Sequence, residues 1–173
     1  MANYFRASPI DFRLEALFFC PLQMKSMEPL TILLVEDEAD DVLLFRRALE
    51  KTGVQYPLQV VTDGEAALAY LAGSGKYADR TKYPRPGAII LDLKMPRLDG
   101  LQVLASIKNN PDLRVIPTLI LSSSKVPDDI ARAYELGANS YFAKPSVPGD
   151  LHALVQVVND YWKRCLKPGS KPD

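Results

Sequence analysis

The amino-acid sequence predicts a doubly wound α/β fold, in which a five-stranded parallel sheet carries helices on both faces. The first observation is a set of short apolar runs, too short for stable helices, that alternate with segments of helical periodicity. The second is that these runs are apolar throughout, as expected of strands covered on both faces. The predicted strands lie at residues 31–35, 58–61, 88–91, 118–121 and 140–143.

The segments between and after these strands are predicted to be helices. In the first of them, Phe45 and Leu49 fall on one face, which indicates packing against the sheet. Asp40 and Asp41 stand in its first turn, where acidic side chains favour the helix, so we expect them to cap and charge the helix rather than touch a metal ion. The predicted helices lie at residues 40–51, 64–71, 100–109, 128–136 and 147–166, and the apolar stripe of the last consists of Leu151, Leu154, Val155, Val158, Trp162 and Cys165.

A chain of 173 residues is predicted to form one domain with an appended arm. We assign residues 28–167 to the domain, residues 168–173 to a C-terminal tail, and residues 1–27 to an N-terminal arm that is expected to be poorly ordered or to precede a true start at Met27. The arm is apolar, but it lacks the basic start and the uninterrupted apolar stretch of a signal peptide. The long connection at residues 72–87 is predicted to be a surface loop.

Composition excludes several classes of function. The chain has 21 Lys and Arg against 21 Asp and Glu, whereas a general nucleic-acid binder needs a basic surplus. The two cysteines, Cys20 and Cys165, lack metal-ligand spacing, and a reducing cytoplasm is the simplest compartment for them. The chain has a single histidine, His152, and this scarcity argues against Ser-His hydrolases and most metal enzymes. We expect His152 to be an exposed helix residue. No apolar run approaches the roughly 20 residues of a membrane span.

Polar side chains follow four of the predicted strands, at the edge where an open parallel sheet binds its ligands. Acidic residues 36–38 follow the first strand, Asp92 the third, serines 122–124 the fourth, and Lys144-Pro145 the fifth. Crowded carboxylates repel one another unless a cation joins them, and oxygen ligands suit a hard ion such as Mg²⁺. A lysine beside such a site can neutralise a phosphoryl oxygen.

The pattern ILLVEDEADD, IILDLKMPRLDG, LILSSS and YFAKP, in this order, resembles the receiver domain of two-component response regulators. The resemblance covers residues 30–166, and the intervals of 30 positions from Asp92 to Ser122 and 22 from Ser122 to Lys144 are typical of the family. The chain is most similar to single-domain, chemotaxis-regulator-like members, in particular those paired with cyanobacterial phytochrome kinases. The resemblance implies a flavodoxin-like sheet with strand order 2-1-3-4-5.

The resemblance also implies roles at the reaction centre. Asp92 would be the nucleophile that accepts a phosphoryl group from a kinase phosphohistidine and becomes 4-aspartylphosphate. Lys144 would hold the phosphoryl oxygens, and Ser122, where the family more often has threonine, would hydrogen-bond to them. We expect the Lys144–Pro145 peptide bond to be cis. The chain would then be no enzyme beyond phosphotransfer onto its own Asp92 and the hydrolysis of that phosphate.

The implied cofactor is Mg²⁺. Asp37 would be a direct ligand, Glu36 would act on the ion through water, and Asp92 together with the backbone carbonyl of Lys94 would complete the protein ligands.

The resemblance further implies a switch and a set of partners. Ser122 moving toward a new phosphoryl group would vacate space for Tyr141, changing the face formed by the fourth helix, fifth strand and fifth helix. The partners would be a histidine kinase, phytochrome-like by the finer match, and a downstream protein target, with no nucleic acid and no membrane. Val157 and Tyr161 either widen the buried face of the last helix or form a homodimer surface.

Two other function classes fit part of the pattern. One is a receiver-like interaction module that takes no phosphoryl group and binds its partner constitutively; the acids and Lys144 at the strand ends argue against it. The other is a Mg²⁺-dependent phosphohydrolase with an aspartyl nucleophile. That class usually carries a second acid two residues after the nucleophile, where this chain has Lys94.

Overall fold

The computed structural model describes residues 31–53, 56–145 and 147–164, without the side chains of Pro148 and of residues 161–164. Within them, five parallel strands form one sheet in the order β2-β1-β3-β4-β5, which confirms the predicted fold class. The strands are β1 (Ile32–Val35), β2 (Leu58–Val61), β3 (Ala88–Leu91), β4 (Thr118–Ser122) and β5 (Ser140–Ala143). The helices are α1 (Ala39–Lys51), α2 (Gly64–Ala72), α3 (Gly100–Asn109), α4 (Pro127–Glu135) and α5 (Pro148–Arg164), with a 3₁₀ turn at Gly75–Tyr77.

The central strands β1, β3 and β4 are buried on both faces, whereas the edge strands β2 and β5 are mostly half-buried. In β1, Leu33 and Val35 pack in the layer formed with α2, α3 and α4, whereas Ile32 and Leu34 pack in the layer formed with α1 and α5. Fully burying a leucine or isoleucine stabilises a fold by about 1.5–3 kcal/mol. Alternate residues of one short strand therefore hold both layers on the sheet.

The turn from β3 into α3 fixes the backbone beside Asp92. The Asp99 carboxylate accepts a hydrogen bond from the Gln102 N–H at 3.0 Å, and the Gln102 side chain accepts one from the Asp99 N–H at 3.2 Å. This reciprocal capping starts α3 at Gly100. A Cβ on Gly100 would overlap the carbonyl oxygen of Asp92 and the Cα of Leu93, so only glycine allows this approach.

The connection at residues 72–87 is a mostly exposed surface loop, as predicted, and it contains one 3₁₀ turn. Tyr77 in the 3₁₀ turn is buried, and its ring packs edge-on against Tyr83 and tilted against Tyr70, with centroids 5.1 and 5.2 Å away. Arg80 donates hydrogen bonds to the carbonyl oxygens of Tyr70 and Leu71, both at 2.8 Å, at the end of α2. The sequence did not predict this packing within the loop, in which buried Tyr70 and Tyr77 contact half-buried Tyr83.

Two further predictions concern residues of α5. His152 was expected to be exposed but is half-buried, with Nδ1 3.5 Å from the carbonyl oxygen of Ala48 on α1. Val157 is exposed, and the side chain of Tyr161 lies outside the described residues, so a dimer surface there stays a prediction.

In the described part of the chain, no helix is both long and apolar enough to cross a bilayer.

The predicted arm, residues 1–27, and the predicted tail, residues 168–173, lie outside the described residues, as do Cys20 and Cys165. The proposed domain boundaries therefore stay predictions.

Candidate functional site

The predicted acidic residues meet at the carboxyl ends of the strands. Glu36 and Asp37 follow β1 and Asp92 follows β3, and one carboxylate oxygen from each lies within 4.8 Å of the others. Backbone bonds fix two of them, since the Glu36 N–H donates to the Val61 carbonyl and the Asp92 N–H to the Val35 carbonyl, both at 3.0 Å. Glu36 and Asp92 are buried and Asp37 is half-buried, so water screens their mutual repulsion poorly.

The chemistry of this acidic cluster fits a divalent cation. Asp37 Oδ1 is buried and has no hydrogen-bond partner among the described residues, which leaves a lone pair for a ligand. Three carboxylates are the ligand type that hard cations prefer. Lys94 donates its backbone N–H to Asp92 Oδ1 at 3.1 Å, so the loop after β3 curls back over the cluster.

Lys144 connects the acidic cluster to β5 and α1. Its Nζ lies 2.7 Å from Glu36 Oε2, 2.7 Å from Asp41 Oδ2 and 2.7 Å from Asp92 Oδ2. Its backbone N–H donates to the Ser122 carbonyl at 2.8 Å, which places it directly beyond the β4–β5 pairing. The Lys144–Pro145 bond is trans, so our expectation of a cis bond was wrong: the long lysine side chain reaches the carboxylates from a trans peptide.

Lys144 and Glu36 both have pKa values above their usual range. Burial alone would lower the pKa of Lys144, but its hydrogen bonds to Asp41, Asp92 and Glu36 outweigh burial and hold the pKa above its usual range. Burial raises the pKa of Glu36 to about 7, against the opposing effect of Lys144. Lys144 is therefore an ammonium ion at neutral pH, and Glu36 carries a proton in part of the molecules.

Asp41 is the site residue that sequence reasoning missed. It stands at the third position of α1, after the N-cap Glu38, whose side chain makes no cap hydrogen bond. We expected Asp41 to charge the helix, yet its carboxylate binds an ammonium 103 residues away. The available signal was positional, because the first turn of α1 follows the strand end that carries Glu36 and Asp37.

Ser122 and Tyr141 lie on adjacent strands beside the cluster. Ser122 is fully buried at the end of β4, and its Oγ accepts a hydrogen bond from the Ser124 N–H at 3.4 Å. Half-buried Tyr141 on β5 donates its hydroxyl to the Ser124 carbonyl at 2.9 Å. Burial raises the pKa of Tyr141, so its hydroxyl keeps its proton and donates at neutral pH.

A second polar network joins the site to α4, and the sequence did not predict it. Asp129 Oδ2 accepts hydrogen bonds from the Lys94 ammonium at 2.8 Å and from the Ser124 hydroxyl at 2.5 Å. These contacts lower the pKa of the Asp129 carboxyl, and the hydrogen bond from Lys94 has a larger effect than the one from Ser124. The loops after β3 and β4 are thereby tied to the first turn of α4 next to the hydrogen bond of Tyr141.

Comparison with known proteins decides the family. The profile of the response regulator receiver domain matches residues 32–156. The chain belongs to the response regulator receiver family. Response regulator Rcp1 from Synechocystis sp. is 41% identical over 138 residues, a match that covers 80% of this chain and 92% of Rcp1. A probable methanogenesis regulatory protein, FilR2 from Methanothrix harundinacea, is 37% identical over 142 residues and is matched over 87% of its length.

Solved receiver structures show the same fold. The Mn²⁺-bound form of Rcp1 superposes with a TM-score of 0.72 at 40% identity, covering 80% of this chain and 98% of that one. The phosphorylated cyanobacterial phytochrome response regulator RcpA gives a TM-score of 0.74 at 37% identity, covering 81% and 98%. This receiver is thus close to phytochrome response regulators, and the order of strands predicted from the family resemblance is confirmed.

Proposed function

We propose that this receiver accepts a phosphoryl group on Asp92 from the phosphohistidine of a histidine kinase, with Mg²⁺ as cofactor, and passes the signal to a downstream protein. The observation that carries the proposal is the surroundings of Asp92: a buried carboxylate with an ammonium 2.7 Å away and two further acids within ligand distance. This is the charge arrangement that in-line phosphoryl transfer requires.

In the proposed reaction, a carboxylate oxygen of Asp92 attacks phosphorus as the phosphorus–nitrogen bond of the phosphohistidine breaks. The bonding electron pair stays on the imidazole nitrogen, and the phosphoryl group becomes an acyl phosphate on Asp92. Lys144 lies where its ammonium can neutralise the transferring oxygens. The chain acts on no other substrate; it catalyses only this transfer and the later hydrolysis by water.

Glu36, Asp37, Asp92 and the backbone carbonyl of Lys94 are the proposed metal-binding groups. When bound, Mg²⁺ would neutralise charge on the carboxylates and on the phosphoryl oxygens. Support comes from the buried Asp37 oxygen, which has no hydrogen-bond partner among the described residues, and from the Mn²⁺-bound form of the related Rcp1. Both ions favour oxygen ligands.

The proposed switch joins Ser122 to Tyr141. A phosphoryl group on Asp92 would draw the Ser122 hydroxyl, and Tyr141, already bonded to the Ser124 carbonyl in the next loop, would respond to that movement. Such a switch requires two packings of similar energy. Because this chain is similar to a phytochrome response regulator, we propose that its kinase is phytochrome-like.

The test is the intact-protein mass after incubation with a small phosphodonor and Mg²⁺. We expect one added phosphoryl group on the wild-type chain, and none after chelation of the metal or in Asp92→Asn. An unmodified wild-type chain under all conditions, or an equal adduct in Asp92→Asn, would contradict the proposal.

A further inference from the structure

We propose that Asp41 is a positioning residue for Lys144, which holds the ammonium beside Asp92 when a divalent cation occupies the acidic cluster. The inference rests on the proposed function of Asp92 and extends it to a residue outside the reacting and metal-binding groups.

The Lys144 ammonium lies against three carboxylates. Glu36, Asp41 and Asp92 each place one oxygen 2.7 Å from Nζ. The ammonium donates hydrogen bonds to Asp41 and Asp92, and its third contact, with Glu36, is an ion pair. The lysine side chain is 15% exposed, and the restraint is therefore made mostly within the protein.

The three partners differ in what a cation would do to them. Glu36 and Asp92 belong to the acidic cluster with Asp37, so a bound divalent ion would draw on the negative charge of two of the carboxylates that hold Lys144. Asp41 lies outside that cluster. Its carboxylate is the partner that keeps its full charge for the ammonium once the cation is bound.

Asp41 is also held on a rigid element. It stands in the first turn of α1, which packs on the sheet and on α5 through Phe45, Ala48 and Leu49. Lys144, in contrast, follows β5 in a loop. Asp41 thus ties the ammonium end of the flexible Lys144 side chain to a fixed helix. Because the side chain is already restrained, it loses less conformational freedom when it binds the phosphoryl group.

The first test measures the restraint on Lys144 without any phosphorylation. The metal-loaded protein is treated with an amine-acylating reagent, and the labelling rate of Lys144 is read by peptide mass spectrometry. We expect Asp41→Asn to be labelled about tenfold faster than wild type, because a charge-assisted hydrogen bond is lost. Asp41→Glu, which retains the carboxylate, should stay protected.

Asp40→Asn is the matched control. Asp40 is exposed in the same first turn, and its substitution removes the same charge from the end of the helix. Equal labelling rates in Asp40→Asn and Asp41→Asn would overturn the inference.

The second test is the rate of phosphorylation by a small donor at saturating Mg²⁺. We expect the phosphorylation rate of Asp41→Asn to be about tenfold lower than that of Asp40→Asn. In a chain that already carries Lys144→Ala, adding Asp41→Asn should not lower the rate further. An undiminished loss in that background would show that Asp41 does not act through Lys144. Absence of any adduct on the wild type would refute the function proposed for Asp92, while the labelling test would still decide the role of Asp41.

Discussion

At the scale of single residues, Glu36 shows how burial and charge compete in this site. Its pKa rises from an ordinary 4.5 to about 7, mainly because of burial and in smaller part because of the nearby Asp92, while Lys144 opposes the rise. A folded-state pKa above the unfolded value stabilises the protein below the unfolded pKa, and that contribution is lost as the pH rises through the folded pKa. Without a cation, Glu36 therefore destabilises the fold progressively from about pH 5 to above pH 7.

We expect Glu36→Gln to remove this pH dependence. In chelator, the free energy of unfolding of the wild type should fall by up to about 3 kcal/mol between pH 5 and pH 8, and the variant should show a flatter profile. Denaturant titrations across that range measure both. The exposed Glu50→Gln is the control and should follow the wild type. Parallel profiles for wild type and Glu36→Gln would show that Glu36 keeps an ordinary pKa.

Sequence reasoning located the acids, the serine and the lysine because each stands directly after a predicted strand. It did not predict that Asp41 binds Lys144, or that Asp129 binds both Lys94 and Ser124. These contacts depend on where long side chains reach between helices and loops, and no local pattern encodes that distance. The sequence therefore predicts the groups at the site but not their pairing.

At the scale of elements, the start of α3 is the part of the scaffold most closely joined to the site. Gly100 approaches the carbonyl group of Asp92, and the Gly100 N–H donates to the Leu93 carbonyl at 3.1 Å. A side chain at this position would displace the backbone of the proposed nucleophile.

We expect Gly100→Ala to lower the free energy of unfolding by more than about 2 kcal/mol, because the added methyl overlaps backbone atoms that cannot move alone. The matched control is Gly149→Ala on α5, where a Cβ meets nothing within 4 Å and the change should stay within about 1 kcal/mol. Chemical denaturation of both variants measures the difference. Similar stabilities for the two would contradict the close contact at Gly100.

The strands and helices were predicted within a few residues, since apolar strands buried on both faces and amphipathic helices have distinct periodicities. The side-chain packing within the segment from Gly75 to Tyr83 was not predicted. Its buried face is made of tyrosines spaced irregularly along the chain, and its structure depends on Arg80 reaching back to the carbonyls of α2. Such packing has no period that a sequence pattern can reveal.

At the scale of the whole molecule, the residues of both apolar layers and of the acidic cluster that the structure describes lie between Ile32 and Val158. The receiver profile likewise matches residues 32–156. We therefore expect a chain lacking residues 1–26 to keep its melting temperature and its rate of phosphorylation. Thermal denaturation and intact-protein mass measure the two properties. A large loss of either would show that the N-terminal segment contributes to the fold or to the site.

The sheet brings together groups that lie more than 100 residues apart in the chain, as the contact of Asp41 with Lys144 shows. Parallel strands separated by helices all end at one edge, so a single topology places two acids and an ammonium beside the carboxylate of Asp92. We propose that this carboxylate, Asp92, receives the phosphoryl group.

The most direct test is chemical trapping of the phosphorylated residue. After incubation with a phosphodonor and Mg²⁺, borohydride reduces an aspartyl phosphate to homoserine, and peptide mass spectrometry identifies the altered residue. We predict homoserine at Asp92 in the wild-type chain, with Glu36, Asp37 and Asp41 unchanged. Conversion of another carboxylate, with Asp92 intact, would contradict the account.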